Sequence, residues 1–450
     1  MLEKIFKLKE NNTNVYTEFI AGLTTFMAMS YIIFVNPTVL SQTGMDYNAV
    51  YGATILASII GTLILSLYAN VPYAQSAGIG LGSLFTYTLC GSMGYSWQQS
   101  LAMVFICAII NLIVTLTSFR KKIITAIPNV LQEAITIGIG LFITYIGLMN
   151  AGLIVFKADD VTNGFASGVI PTIATFNTPT VLLAILGLLL TIILLVLKVK
   201  GAYLISIILT TIMGIPLGVT QLPDFSNYTI FPSLAPTFMQ LDFAGLLTAK
   251  TSLTIVFMTI FTLCISDLFD SIGIFIGTGK KSGIFKITNN NKLPKKLERA
   301  LVADSTGSLF GSMLGTSNVT TYLESTAGIE AGGRTGLTSL FVSLFFFLAL
   351  FISPLIKIVP TAAVAPVLIM IGLTMIEGIS KIDWKDMVIA IPAFFTIVLM
   401  PLAYSITTGI EIGFILFTLI NYIVGNKKEV SPIMVILSIL FIINFIFTAL

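Results

Sequence analysis

The sequence predicts an all-α polytopic membrane protein, and three observations carry that prediction. Of 450 residues, 56% are hydrophobic and only 10% charged, with a mean hydropathy of +1.00; a soluble domain carries roughly a quarter charged residues. Apolar stretches long enough for a helix to cross a bilayer, about 20 residues, recur from end to end. Lys and Arg cluster in alternating loops between those stretches. Such a composition excludes a soluble enzyme, a disordered scaffold and a nucleic-acid binder.

Windows of about 19 residues give apolar segments near 18–38, 48–69, 76–91, 97–117, 127–150, 180–199 and 201–221. A second set lies near 251–278, 299–316, 318–329, 334–353, 360–379, 386–403 and 405–424, and one more apolar stretch at 432–448 closes the chain. Lys4, Lys7 and Lys9 precede the first span, and no cleavable signal pattern is present. Arg120, Lys121 and Lys122 follow the fourth span, and Lys198 and Lys200 divide the sixth from the seventh. The loop after the eighth carries Lys280, Lys281, Lys286, Lys292, Lys295, Lys296 and Arg299; Lys381 and Lys385 follow the twelfth, and Lys427 and Lys428 the fourteenth. All these clusters fall on one side, which the positive-inside rule makes cytoplasmic. The expected topology is fourteen spans with the N-terminus inside, in the cell membrane. Segment 432–448 is either a fifteenth span or an interfacial helix.

The halves resemble each other. Residues 127–141 align without gaps on 359–373, matching Pro128 with Pro360 and Gly140-Leu141 with Gly372-Leu373. Two short Gly/Ser/Thr-rich segments stand third in each half: Ser76-Ala77-Gly78-Ile79-Gly80-Leu81-Gly82-Ser83, and Gly315-Thr316-Ser317-Asn318-Val319-Thr320-Thr321. Seven spans per copy is odd, so the second copy enters the membrane inverted. Inverted repeats with paired broken helices point to a secondary transporter with a midplane site. Each broken segment is expected to be a half-helix preceded by a short extended stretch. The backbone at Leu81-Gly82 and at Thr321-Tyr322-Leu323 then lines the site.

Acids inside a membrane are costly and so are candidate functional residues. Asp267 and Asp270 lie three apart on one helical face of span 8. Asp304 follows in span 9 and Glu324 in the broken segment 10, with no base between the helices. Asp304 has a simpler reading as a helix cap, and Asp267 as an acid bonded to backbone or hydroxyl groups. Asp270 and Glu324 resist such readings. Glu133, Glu377, Glu411 and Glu330 read as interfacial or loop acids. Gly61 reads as a close-packing site. Cys90, Cys107 and Cys264 have no metal-type spacing and read as small core residues, and no cofactor or metal is expected. With no histidine in the chain, proton movement near neutral pH falls to carboxylates. Several acids sharing one site favour a shared proton, so Asp270, Asp267, Asp304 and Glu324 form the expected proton-coupling set, with H⁺ rather than Na⁺ as the coupling ion.

Residues 22–37, GLTTFMAMSYIIFVNP, resemble the opening of the purine permeases of the hypoxanthine–adenine–guanine type. These are a branch of the nucleobase–cation symporters, which share the uracil permease fold. The resemblance continues through ANVPYAQSAGIGLGSLF (69–85), SDLFDSIGIFIGTG (266–279) and ADSTGSLFGSMLGTSNVTTYLESTAGIEAGGRTGLT (303–338). The family's usual Pro-Gly-Met-Gly-Leu-Asn run is replaced here by Ala77–Gly82. The resemblance implies a core domain (18–117 and 251–353) moving against a gate domain (127–221 and 360–424), with 432–448 outside both. It also implies Asp270 and Glu324 as the binding carboxylates, a purine base as substrate, and a homodimer formed through the gate domain. Two other functions fit parts of the sequence. An anion transporter of the same fold needs a basic residue or uncompensated helix dipoles, whereas the midplane charges here are acidic. An intramembrane aspartyl protease needs Tyr-Asp and Gly-Asp dipeptides, and neither occurs.

Overall fold

The computed structural model describes residues 2–117, 127–158, 169–221, 232–248, 253–282, 284–285, 294–352 and 358–449, and it is mostly helical. Arg120, Lys121, Lys122, Lys286 and Lys292, whose charges helped orient the spans, lie outside the described residues, as do 251–252 and 353. The helices of the first half are α1 (Leu2–Phe6), α2 (Val15–Met29), α3 (Ile32–Leu40), α4 (Tyr47–Ile64), α5 (Ile79–Ser83), α6 (Trp97–Leu116), α7 (Asn129–Asn150), α8 (Pro179–Val196) and α9 (Ala202–Gly214). The second half holds α10 (Phe243–Thr248), α11 (Leu253–Ser282), α12 (Lys295–Leu314), α13 (Ser325–Glu330), α14 (Gly336–Ala349), α15 (Thr361–Met375), α16 (Met387–Leu402), α17 (Ile406–Val424) and α18 (Pro432–Ala449). A helix therefore occupies each predicted apolar stretch. Among the described residues, seven helical runs, Val15–Thr43, Tyr47–Ala69, Trp97–Leu116, Asn129–Asn150, Pro179–Val196, Thr361–Lys381 and Ile406–Val424, are long and apolar enough to cross a membrane.

Local chemistry sets many of the helix starts. Asn14, Asp46 and Thr335 accept from Thr17 N, Ala49 N and Leu337 N at the heads of α2, α4 and α14, and Ser96 with Gln99 closes a reciprocal cap on α6. Three expectations change. Helix α12 begins at Lys295, so Asp304 lies within the helix and caps nothing. A strand pair, β2 (Ile154–Ala158) and β3 (Val169–Ile173), occupies part of the 151–179 loop, with Phe156 opposite Pro171. Glu411, read as interfacial, is 3% exposed in α17. The Ser405-capped start of that helix is itself buried, so a position near a helix end is not a position near water.

Helices α2, α4, α6, α11, α12 and α14 form one packed group, and α7, α8, α9, α15, α16 and α17 another; contacts between them include α9 with α2 and α11 with α7 and α17. Inside the second group the two stretches that match in sequence are neighbours. Matched helices α7 and α15 pack on each other, and matched Gly140 and Gly372 lie at the contact. A Cβ on Gly140 would sit 2.8 Å from the Gly372 carbonyl oxygen, and one on Gly372 would strike the Gly140 carbonyl. Only glycine lets the two backbones approach that closely.

Candidate functional site

The two interrupted segments cross by pairing their extended stretches. Strand β1 (Gln75–Ala77) runs antiparallel to β4 (Val319–Thr321), with Ser76 opposite Thr320. Gly78 N donates to Asn318 O at 2.9 Å and Tyr322 N to Ala74 O at 3.0 Å, which extends the pairing at both ends. Beyond β1 the chain turns into α5 and a π-type run at Leu84–Ser92; beyond β4 it turns into α13. Non-helical backbone at membrane depth persists only where protein or a cavity satisfies it, and here the satisfaction is repeated twice. Thr62 Oγ1 donates to Gln75 O and accepts from Gln75 N; Ser308 Oγ does the same for Val319 O and N. Each hydroxyl follows a glycine, Gly61 or Gly307, whose bare surface makes room for Gln75 and Val319.

The four acids divide into two kinds. Asp304 and Asp267 are each 2% exposed. Asp304 Oδ1 accepts from Thr321 N (3.1 Å), Thr321 Oγ1 (2.9 Å) and Gln75 Nε2 (3.2 Å), so it ties α12 to both strands. Asp267 Oδ2 accepts from Asn111 Nδ2 at 2.7 Å, joining α11 to α6. Asp270 and Glu324 are half-buried. Asp270 faces Thr320 and lies within electrostatic reach of Asp304 and Glu324. Glu324 accepts from the Tyr31 hydroxyl. Among the described residues no Lys or Arg pairs with either acid. Arg299 stacks over Tyr68, and Arg334 donates to the carbonyls of Ile329 and Gly333.

The other residues singled out from the sequence do not all reach this face. Leu323 is exposed beside Glu324. Leu81, Thr321 and Tyr322 are buried, and Gly82 packs against Ser317 and Asn36. Thr321 is engaged by Asp304, and the Tyr322 hydroxyl donates to Ala77 O at 2.5 Å. The half-buried residues of the first broken segment are instead Ile79-Gly80, the pair immediately before, at the helix start where N–H groups lack partners within their own helix.

Two tyrosines were missed. Tyr31 stands at the break between α2 and α3, and Tyr203 in the first turn of α9 packs edge-on against it at 5.2 Å. Glu18 was missed as well. It is 0% exposed and accepts from the backbone N–H of Arg334, Thr335 and Thr338 and from the Thr338 hydroxyl, which fixes the start of α14 behind the site. The polar repeat Gly61-Thr62 and Gly307-Ser308 was a signal for the crossing; nothing in an apolar span marks one tyrosine above another.

Crossed broken segments with acids beside them, inside a bundle of apolar helices, define a multi-pass membrane transporter. Known structures agree on the fold. The transmembrane domain of a cyanobacterial bicarbonate transporter, BicA, superposes with a TM-score of 0.65 at 14% identity, covering 88% of this chain and 97% of that one. The anion-transporter relative SLC26A9 gives 0.64 at 12%, covering 93% and 66%. Sequence relatives are nearer. The guanine/hypoxanthine permease PbuG of Bacillus subtilis strain 168 is 38% identical over 99% of this chain and 100% of its own. The adenine permease AdeP of Escherichia coli K12 is 38% identical over 99% and 96%. The permease family pattern matches residues 16–412. This chain belongs to that family, in its purine permease branch.

Proposed function

We propose that the protein imports purine nucleobases of the guanine/hypoxanthine type across the cell membrane by proton symport. One observation carries the reading: Asp270 and Glu324 are both half-buried and within electrostatic reach of each other, with no cation pairing either among the described residues. Ring N–H groups of a purine are donors that a carboxylate accepts strongly in a water-poor site. Relatives named as guanine/hypoxanthine and adenine permeases support the substrate class. An anion would meet like charge there.

In this reading Glu324 takes the edge of the base, and the proton resides on Asp270. Asp267 and Asp304, also in the expected set, are more deeply engaged by scaffold bonds, which supports Asp270 as the carrier. A proton on Asp270 relieves the repulsion of neighbouring acids, the base binds, and the core group, carrying one negative charge fewer, slides past the gate group in an elevator-like step. In this reading, fourteen spans in two inverted seven-span repeats give that step two ends related by a pseudo-two-fold rotation. Exposure runs from Glu324 through Thr326 and Ala327 to Glu330. That end is the one the Lys/Arg pattern assigns to the cytoplasm, which supports release there.

The test is uptake of labelled hypoxanthine by purified protein in liposomes, with unlabelled bases as competitors. Accumulation should follow an imposed inward proton gradient and ignore a sodium gradient. Uptake driven by sodium alone would overturn the coupling, and lack of competition by any purine would overturn the substrate.

A further inference from the structure

Tyr203 belongs to the α7–α9/α15–α17 group, yet its ring lies against the acid site of the other group. Its placement is well determined. Gly201, at φ 73°, caps α9 and lies so close to α2 that a Cβ there would be 3.1 Å from the Met27 carbonyl oxygen. The next turn then delivers Tyr203 to the α2–α3 break, edge-on to Tyr31 and within electrostatic reach of Glu324. Tyr322 closes the same cluster, its ring 6.4 Å from that of Tyr31. The hydroxyls of Tyr31 and Tyr322 both have partners, Glu324 and Ala77 O. The Tyr203 hydroxyl has none, although the residue is 8% exposed and the oxygen is shielded from solvent. A shielded hydroxyl without a partner is unusual, because desolvating it is unfavourable and native interiors nearly always satisfy such groups.

We propose that Tyr203 is a substrate-contacting residue on the gate side, whose hydroxyl donates to a ring nitrogen or carbonyl of a purine held by Glu324. The contact spans the two helix groups through the bound base. Loading the site satisfies the orphan hydroxyl and draws α9 onto the base. This rests on the purine reading above.

The experiment measures binding of tritiated hypoxanthine to the full-length protein and to Tyr203→Phe, with thermal unfolding of each in the absence of base. Loss of one neutral hydrogen bond should weaken binding about 3- to 10-fold. The ring is retained and an unsatisfied oxygen is removed, so the ligand-free melting temperature should hold or rise. A deaza analogue lacking the acceptor that Tyr203 reads should bind both proteins equally. Affinity unchanged within about twofold would overturn the assignment and leave the purine reading intact. A fall in the ligand-free melting temperature matching the affinity loss would make the hydroxyl structural and also overturn it. If the wild type binds no purine, the substrate reading fails first and this assignment falls with it.

Discussion

Glu324 Oε1 accepts from the Tyr31 hydroxyl, and in the proposed binding mode a base that docks on that oxygen displaces this side chain. Two opposite outcomes follow. Glu324→Gln should weaken hypoxanthine binding about 10- to 100-fold, the span expected for a hydrogen bond to a charged group, as read by isothermal titration. Tyr31→Phe removes the competitor and should tighten binding about 3- to 10-fold in the same assay. The two acids stood out in the sequence as candidates because a charge inside an apolar span has no inexpensive structural use. Leu81, Thr321 and Tyr322 were drawn to the site by their place in the broken segments, but all three are buried, Leu81 in α5, Thr321 in β4 and Tyr322 just beyond it. Tyr31 and Tyr203 were illegible for a different reason. An aromatic in a hydrophobic run carries no mark of its function until its neighbours are known.

Helix starts and helix contacts were partly legible, since capping residues and paired glycines are local signals. Those signals predict how elements fail. Glu18 satisfies three backbone donors at the start of α14, and each donor left orphaned costs about 1–3 kcal/mol. Glu18→Ala should therefore lower the melting temperature in detergent well below that of Glu18→Gln, which keeps one acceptor oxygen. Gly140→Leu forces the α7 and α15 backbones apart and should cost about 1–3 kcal/mol by overpacking, visible in the same melt without any change in the acids. Asp304 was read as a helix cap because its helix was started too late. A charged first turn, Lys295 to Arg299, hid the true beginning from a hydropathy window.

At the scale of the whole molecule, each half supplies part of the proposed site: β1 and Tyr31 from the first, and β4, Asp270 and Glu324 from the second. Neither 1–250 nor 251–450 expressed alone should bind hypoxanthine, and co-expression should restore binding measurable by titration. The repeat was visible in sequence only as scattered glycines and hydroxyls, because packing preserves the shape of a contact more strictly than the residue types that make it. The β1–β4 pairing also sets a clock. Gln75 and Thr321 are 246 positions apart, and a ribosome adding 5–20 residues each second takes roughly 10–50 s to make that length. For that interval the newly inserted first half holds a stretch of extended backbone whose final partner has not been synthesised. Water, lipid headgroups or a membrane chaperone must shield it until the second half arrives.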